Sequence, residues 1–352
     1  MTTKEEIFNV GVTPSSVSIS PNGKFAYVTN GNNFEIVGSN SVSVLDLKTR
    51  LPITTITDPS FNEPYRSAIS SDGTKIYVTN SGSPSEKQGP VDGTVTIIDA
   101  KTNTVIGVIT GFDGPSGIVL NNDNTIAYVN NYGAPGGVKS GNGTTISVVN
   151  LQCNQIINTI TVALGPAALV LSDDNEYLYV VSYVDGLPGT GILNIIRTND
   201  NTVVDTISGL SGPFGIALSR SHKKQKKSNK YAYITNFGSN DFAPYGTTVS
   251  VVDLKNKKII KNITTGIQPS GVVASPCGKF VYVSNYNALY AKANFQNLTY
   301  GQSTLSIIRV KDNELIKPTI SIGETASYLT TDSNGIVYAT NYVMNVVRTI
   351  TL

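Results

Sequence analysis

The run Pro14-Ser15-Ser16-Val17-Ser18-Ile19-Ser20-Pro21-Asn22-Gly23-Lys24-Phe25-Ala26-Tyr27-Val28-Thr29-Asn30 decides the fold. It reads as a short alternating strand, a tight Ser-Pro-Asn-Gly turn and a second strand ending in Asn. A loop follows, and then a third strand, Ser41-Val42-Ser43-Val44-Leu45-Asp46. The pattern returns along the whole chain. The second-strand tyrosines Tyr27, Tyr77, Tyr128, Tyr179, Tyr233, Tyr282 and Tyr338 stand 50, 51, 51, 54, 49 and 56 residues apart. The opening residue keeps the same time at Pro14, Pro64, Pro115, Pro166, Pro213 and Pro269, with Thr325 in the seventh place. A fixed internal period outranks other sequence signals for fold.

Each unit carries a third strand such as Thr94-Val95-Thr96-Ile97-Ile98 and a fourth such as Thr104-Val105-Ile106-Gly107-Val108-Ile109. These runs are short, β-branched and bounded by Gly, Pro, Asn and Asp, and no window has the apolar period of a helix. Four antiparallel strands per unit, seven times over, predict an all-β chain forming a single seven-bladed β-propeller. The expected blades cover about 12–57, 64–110, 115–162, 166–208, 213–264, 269–321 and 325–352. The seventh unit runs out of chain before a fourth strand. Residues 6–10, Glu6-Ile7-Phe8-Asn9-Val10, match the fourth-strand pattern and are expected to complete that blade, closing the ring and hiding two sheet edges.

The strings Tyr27-Val28-Thr29-Asn30 and Tyr77-Val78-Thr79-Asn80, with variants Tyr128-Val129-Asn130-Asn131, Tyr233-Ile234-Thr235-Asn236, Tyr282-Val283-Ser284-Asn285 and Tyr338-Ala339-Thr340-Asn341, resemble the motif of the YVTN-repeat β-propellers over essentially the full length. The fourth unit departs, with Tyr179-Val180-Val181-Ser182. The resemblance implies the seven-bladed fold, and relatives of several kinds: surface-layer and cell-surface binding proteins and, more distantly, lactonases and the propeller of a copper reductase. A shared fold does not transfer a function. Physically, Gly23, Gly73, Gly278 and Gly335 suit a turn with positive φ. The Tyr is expected between blades, and the closing Asn is expected to bind loop backbone.

The 352 residues carry a net charge of +2, with 14% charged, which gives no footprint for nucleic acid or an acidic membrane. The start, Met1-Thr2-Thr3-Lys4-Glu5-Glu6, has no apolar core of a signal peptide, and no run is long enough to span a bilayer. The expectation is a cytoplasmic protein, or one assembled into a particle or surface structure by another route. Cys153 and Cys277 fall on opposite sides of the ring and are expected as free thiols. Asn142, Asn262 and Asn297 head glycosylation sequons, read as chance matches without a secretion signal.

The sole histidine, His222, lies in a basic turn, 220–230, read as a solvated loop. No Cys or His cluster has metal-ligand spacing, so no metal or cofactor is expected. There is no nucleophile elbow and no phosphate-binding glycine loop. Loop acids such as Asp92, Asp185 and Asp241 leave a Ca²⁺ site open as an alternative to plain solvation.

The second-to-third-strand links, 31–40, 81–93, 132–143, 183–191, 237–246 and 286–301, are long, and only 342–345 is short. They should share one face, and long loops tend to be functional or disordered. They carry Phe34, Tyr132, Tyr183, Phe237, Phe242, Tyr245, Tyr286, Tyr290, Phe295, Tyr300 and Tyr342, and such aromatic content argues against disorder. Either these residues form a rim that receives a protein segment or a glycan, or they pack the loops on each other. Two places after each opening residue stand Ser16, Arg66, Gly117, Ala168, Gly215, Gly271 and Ser327. Arg66 is the exception, expected at the channel mouth against an internal carboxylate or an anionic ligand. The leading expectation is a non-enzymatic binding or assembly scaffold. The alternatives are a lactonase-like hydrolase at the mouth and a structural component of a surface layer or particle.

Overall fold

The computed structural model describes residues 4–31, 40–82, 93–133, 142–220, 229–239, 245–290 and 298–352. Seven four-stranded antiparallel sheets follow one another along the chain, each in the order inner, second, third and outer strand. Blade one, for example, comprises Pro14–Ile19, Phe25–Asn30, Ser41–Asp46 and Leu51–Ile56. Blade seven comprises Ala326–Thr331, Val337–Asn341 and Val346–Thr351, and the amino-terminal strand Lys4–Asn9 supplies its outer edge. Lys4 pairs with Thr351 and Asn9 with Val346, antiparallel throughout. The ring is therefore closed by joining the two ends of the chain in one sheet, as expected.

The second and third strands are buried on both faces because a neighbouring blade covers each side. Phe25–Asn30 and Ser41–Asp46 are buried along nearly their whole length. The outer strands are largely exposed instead, with Leu51 and Ile53 exposed and Ile56 buried. The cores lie between blades: Tyr77, Val95 and Ile97 of blade two pack with Ile118, Ala127 and Val129 of blade three. Burial pushes the motif tyrosines Tyr27, Tyr77, Tyr128 and Tyr282 above the ordinary phenol pKa. Their hydroxyls reach the next blade where the structure gives a partner: Tyr128 donates to Asn201 at 3.3 Å and Tyr233 to Asn313 at 2.5 Å.

The closing Asn of the motif does something other than expected. Instead of binding loop backbone, its amide mostly donates to a pair of hydroxyls on the third strand. Asn30 reaches Ser41 and Ser43, Asn80 reaches Thr94 and Thr96, and Asn131 reaches Thr145 and Ser147, all at 2.9–3.1 Å. Asn236 and Asn285 repeat the pattern, and their carbonyls also accept from the Ser211 and Gly266 amides. Only Asn341 turns wholly to backbone, donating to Ile322 and Glu324.

Blade four shows why its Asn is missing. Ser182 stands in the Asn position, and Asn194 stands where the third strands of blades one, two, three, five and six carry Ser or Thr and that of blade seven carries Arg348. Asn194 pairs with Val180, as Ser43 pairs with Val28. Asn194 accepts from the Ala163 amide at 3.1 Å, and Ser182 donates to the Ala163 carbonyl at 3.1 Å. The amide and the hydroxyl have exchanged strands.

One backbone feature recurs in all seven units. The residue before each inner strand has positive φ: Thr13, Glu63, Gly114, Gly165, Gly212, Gln268 and Thr325, at 52–66°. Its carbonyl accepts the amide of the residue after the motif Asn, namely Gly31, Ser81, Tyr132, Tyr183, Phe237, Tyr286 and Tyr342, at 2.8–3.2 Å. This anchor ties each inter-blade turn to the start of the loop beside it.

It also corrects the alignment of the seventh unit. Ala326, not Thr325, pairs with Asn341 as Pro14 pairs with Asn30. The cause is a turn one residue shorter: Asp332 bonds to Ile336 where Ser20 bonds to Phe25. Tyr328, rather than Ser327, therefore stands in register with Ser16 and Arg66.

Phe8, 5% exposed, packs in a core with Val17, Val28 and Val347, whereas Ile7 is 54% exposed. Phe8→Ala should cost about 3–5 kcal/mol, and Ile7→Ala within about 0.5 kcal/mol, by urea unfolding. Equal costs would mean that the first strand does not seal the ring. Ser182→Asn and Asn194→Ser should each cost about 1–3 kcal/mol, because each leaves buried polar groups mismatched. The double variant should recover most of the summed loss, and strictly additive losses would contradict a shared polar pair.

Candidate functional site

The anchors fix one residue per blade at the start of the link on the loop-rich face. In blades three to seven that residue is aromatic: Tyr132, Tyr183, Phe237, Tyr286 and Tyr342. Blades one and two carry Gly31 and Ser81 there, and Tyr65, from the inner strand Pro64–Ile69, stands on that side of the mouth. At its centre is a cavity of about 230 Å³, lined by Ser15, Tyr65, Arg66, Phe214, Phe237, Ser270, Tyr286, Ser327, Tyr328 and Tyr342. A smaller cavity of about 120 Å³ lies deeper in the channel, among Gly117, Ala168, Gly215, Gly271 and neighbouring inner-strand residues. Arg66 and Tyr328 line both cavities and stand between them.

Five of the seven inner strands need a small residue at the register position of Arg66, because adjacent inner strands crowd the axis. A Cβ on Gly215 would lie 2.5 Å from the Ser270 carbonyl, and one on Gly271 would lie 2.8 Å from the Leu329 amide. Blades two and seven, on either side of Ser16, carry the two large residues. The Arg66 guanidinium carbon sits 4.1 Å from the centre of the Tyr328 ring and 5.3 Å from that of Tyr65. This is cation–π stacking in a half-buried setting. The expected internal carboxylate partner is absent among the described residues: no ion pair there includes Arg66. Among the described lining residues Arg66 alone is charged.

The aromatic walls are built by packing. Phe237 stacks at 5.3 Å on Phe214 and at 6.4 Å on Tyr286. Tyr183 donates to the Gly238 carbonyl at 2.8 Å. Burial, with the nearby Tyr65 and Tyr183 hydroxyls, pushes the Tyr132 phenol up to about 12. Tyr132 and Tyr183 thus brace the collar, whereas Phe237, Tyr286, Tyr342 and Arg66 face the cavity.

The remaining sequence candidates divide between described residues outside the cavity lining and residues that are not described. Tyr245 begins the strand Tyr245–Asp253 and lies outside the lining. The blade-six link, read as loop, contains a two-stranded ribbon in which Tyr290 pairs with Leu298 and Tyr300 with Ala288. Phe34, Phe242, Phe295, His222, Asp92 and Asp241 lie outside the described residues. The Asp185 carboxylate is engaged by the Leu187 amide and by Thr190. Among the described residues no group of three potential metal ligands occurs. Cys153 and Cys277 are both exposed and unpaired.

Tyr65, Phe214 and Tyr328 were missed by sequence reasoning. The signal for the first two was present: the place directly after the opening Pro holds Ser15, Tyr65, Ser116, Ala167, Phe214 and Ser270, two of them aromatic. Tyr328 was hidden by the shortened turn.

No family model matches the chain. The PE-PGRS family protein PE_PGRS18 of Mycobacterium tuberculosis is 47% identical over 68 residues, 19% of this chain and 13% of that protein. Antigen Lp49 of Leptospira interrogans is 29% identical over 121 residues, 34% of this chain and 24% of that protein. The chain thus matches only a quarter or less of these relatives' lengths. Among solved structures, a chain of Kuenenia stuttgartiensis hydrazine synthase superposes with a TM-score of 0.73, covering 97% of this chain and 96% of that one at 18% identity. That likeness is one of fold alone.

Tyr132 should titrate near pH 12, and Tyr132→Phe should remove one late-ionising phenol from the ultraviolet titration of the folded protein. The folded pKa is raised above the ordinary 10.0, so the stabilisation is complete below pH 10. It is lost as pH climbs from there toward about 12, because the unfolded chain ionises first. Tyr132→Phe should therefore lose less stability across that window than the parent, measured by urea unfolding at each pH.

Proposed function

We propose that the protein is a non-catalytic binding module, a member of the YVTN-repeat type, that receives a protein segment or a glycan on its loop-rich face. The observation carrying this reading is the cavity at the channel mouth, where, among the described residues, Phe214, Phe237, Tyr286, Tyr328 and Tyr342 line it together with one cation, Arg66. Concave sites with apolar walls and a few fixed polar groups are the usual form of a ligand site. Aromatic side chains give large contact area for little entropy loss. The scaffold suits the task, since the collar is fixed by backbone anchors that recur in every blade. A rigid collar loses little freedom on binding.

A hydrolase acting at the same mouth is the second reading, favoured by Arg66 as an oxyanion partner. It needs a group that activates water. The described lining offers Ser, Tyr, Phe and Arg, without a carboxylate, imidazole or thiol. The binding reading is therefore the better supported.

The Tyr286→Ala/Tyr342→Ala double variant should lose at least about tenfold in capture of partner from native extract, while Tm falls by only about 2–4 °C. Retained capture with a large fall in Tm would assign the rings to loop packing. Turnover of a lactone panel above background, abolished by Arg66→Ser, would favour the hydrolase.

A further inference from the structure

We propose that the channel mouth takes a carboxylate carried on an apolar or aromatic body, as a free aromatic acid or the C-terminal residue of a polypeptide presents it. The inference rests on the binding reading above and names the ligand class for that same site.

The first argument is the state of Arg66. The Arg66 guanidinium lies over the Tyr328 and Tyr65 rings, and a guanidinium held on a ring face keeps in-plane N–H groups for a further partner. Among the described residues those N–H groups have no acceptor: the hydrogen bonds of Arg66 there are between its backbone and Thr79. Arg50, Arg197, Arg309 and Arg348 each sit against a carboxylate. Arg66 is thus a half-buried cation with its fork unoccupied, and planar, two-pronged recognition of a carboxylate is what that fork suits. A lone cation matches a monoanion better than a phosphate, which commonly draws several donors.

The second argument is the wall. Besides the tyrosines Tyr65, Tyr286, Tyr328 and Tyr342, the described lining has three serines, and each serine hydroxyl is already engaged. Ser15 bonds to Thr29 and the Pro64 carbonyl, Ser270 to Ser284 and the Ala326 carbonyl, and Ser327 to Thr340. An uncharged sugar would leave the Arg66 cation without an anionic partner while burying its own hydroxyls beside serines that are already engaged, which is costly. An apolar body meets no such cost. A cavity of about 230 Å³ holds one ring-sized group.

The test uses the full chain, calorimetry and two matched pairs of probes. One pair is 3-phenylpropionate and its amide; the other is an acetylated Gly-Ser-Gly-Phe peptide as free acid and as amide. The acids should bind, and the amides should be weaker by about ten- to a hundredfold. Arg66→Ser, which installs the residue that blade one carries as Ser16, should weaken the acids by the same factor and leave Tm nearly unchanged. Tighter binding of the peptide assigns a chain end, and tighter binding of the small acid assigns a free metabolite; either supports the class. Equal binding of acid and amide, acid binding indifferent to Arg66→Ser, or binding of cellohexaose in place of the acids would overturn it. If Arg66→Ser keeps partner capture from extract while Tyr286→Ala/Tyr342→Ala loses it, the carboxylate assignment falls and the binding face stands. If both variants keep capture, both fall.

Discussion

A left-handed residue ahead of every inner strand is the constraint from which the rest of the molecule follows. A chain that leaves the outer strand of one blade must double back to the axis within a few residues, and positive φ makes that reversal. At Gly114, Gly165 and Gly212 the geometry comes without steric cost. At Thr13, Glu63, Gln268 and Thr325 it does not, and a β-branched residue in this region is a marked outlier. Such strain persists where the surroundings over-determine it. Here the Thr13 hydroxyl donates to the Gly31 carbonyl at 2.7 Å, while its own carbonyl receives the Gly31 amide.

The same anchor makes the functional face. It fixes the first residue of every long link at one height around the axis, so a collar arises wherever that residue is aromatic. Inner strands are then stitched to one another beneath it. The Thr29 hydroxyl bonds to the Tyr65 carbonyl of the next blade at 3.0 Å, and Thr235 does the same to Ser270. Those contacts bring neighbouring backbones so close that most blades admit only Gly, Ala or Ser at the mouth. Against that background Arg66 and Tyr328 stand out as the two places where side-chain chemistry enters the channel.

The fold was legible because the repeat expresses it seven times. The Tyr spacing, the turn glycines and the leftover amino-terminal strand were enough to predict seven sheets and their closure. Arg66 was legible as an exception within a column of small residues. Tyr328 was not, because equal spacing placed Ser327 in that column and the lost turn residue in blade seven left no mark of its own. The partner of the motif Asn was also misread: Asn is common in loops, and only register reveals that Asn80 faces Thr94 and Thr96. Whether an aromatic braces or lines was beyond the sequence, since Tyr132 and Tyr286 follow the same Asn and differ only in what surrounds them.

The exchange between Ser182 and Asn194 has a bearing on descent. In blades one to six an amide on one strand accompanies a hydroxyl on the other, whichever strand holds which, so there the heritable unit is the couple rather than the letter. A lineage moving between the two arrangements passes through an intermediate with two amides or two hydroxyls, and selection acts on the two codons jointly. Duplicated blades can therefore drift apart in spelling while their interiors stay chemically equivalent.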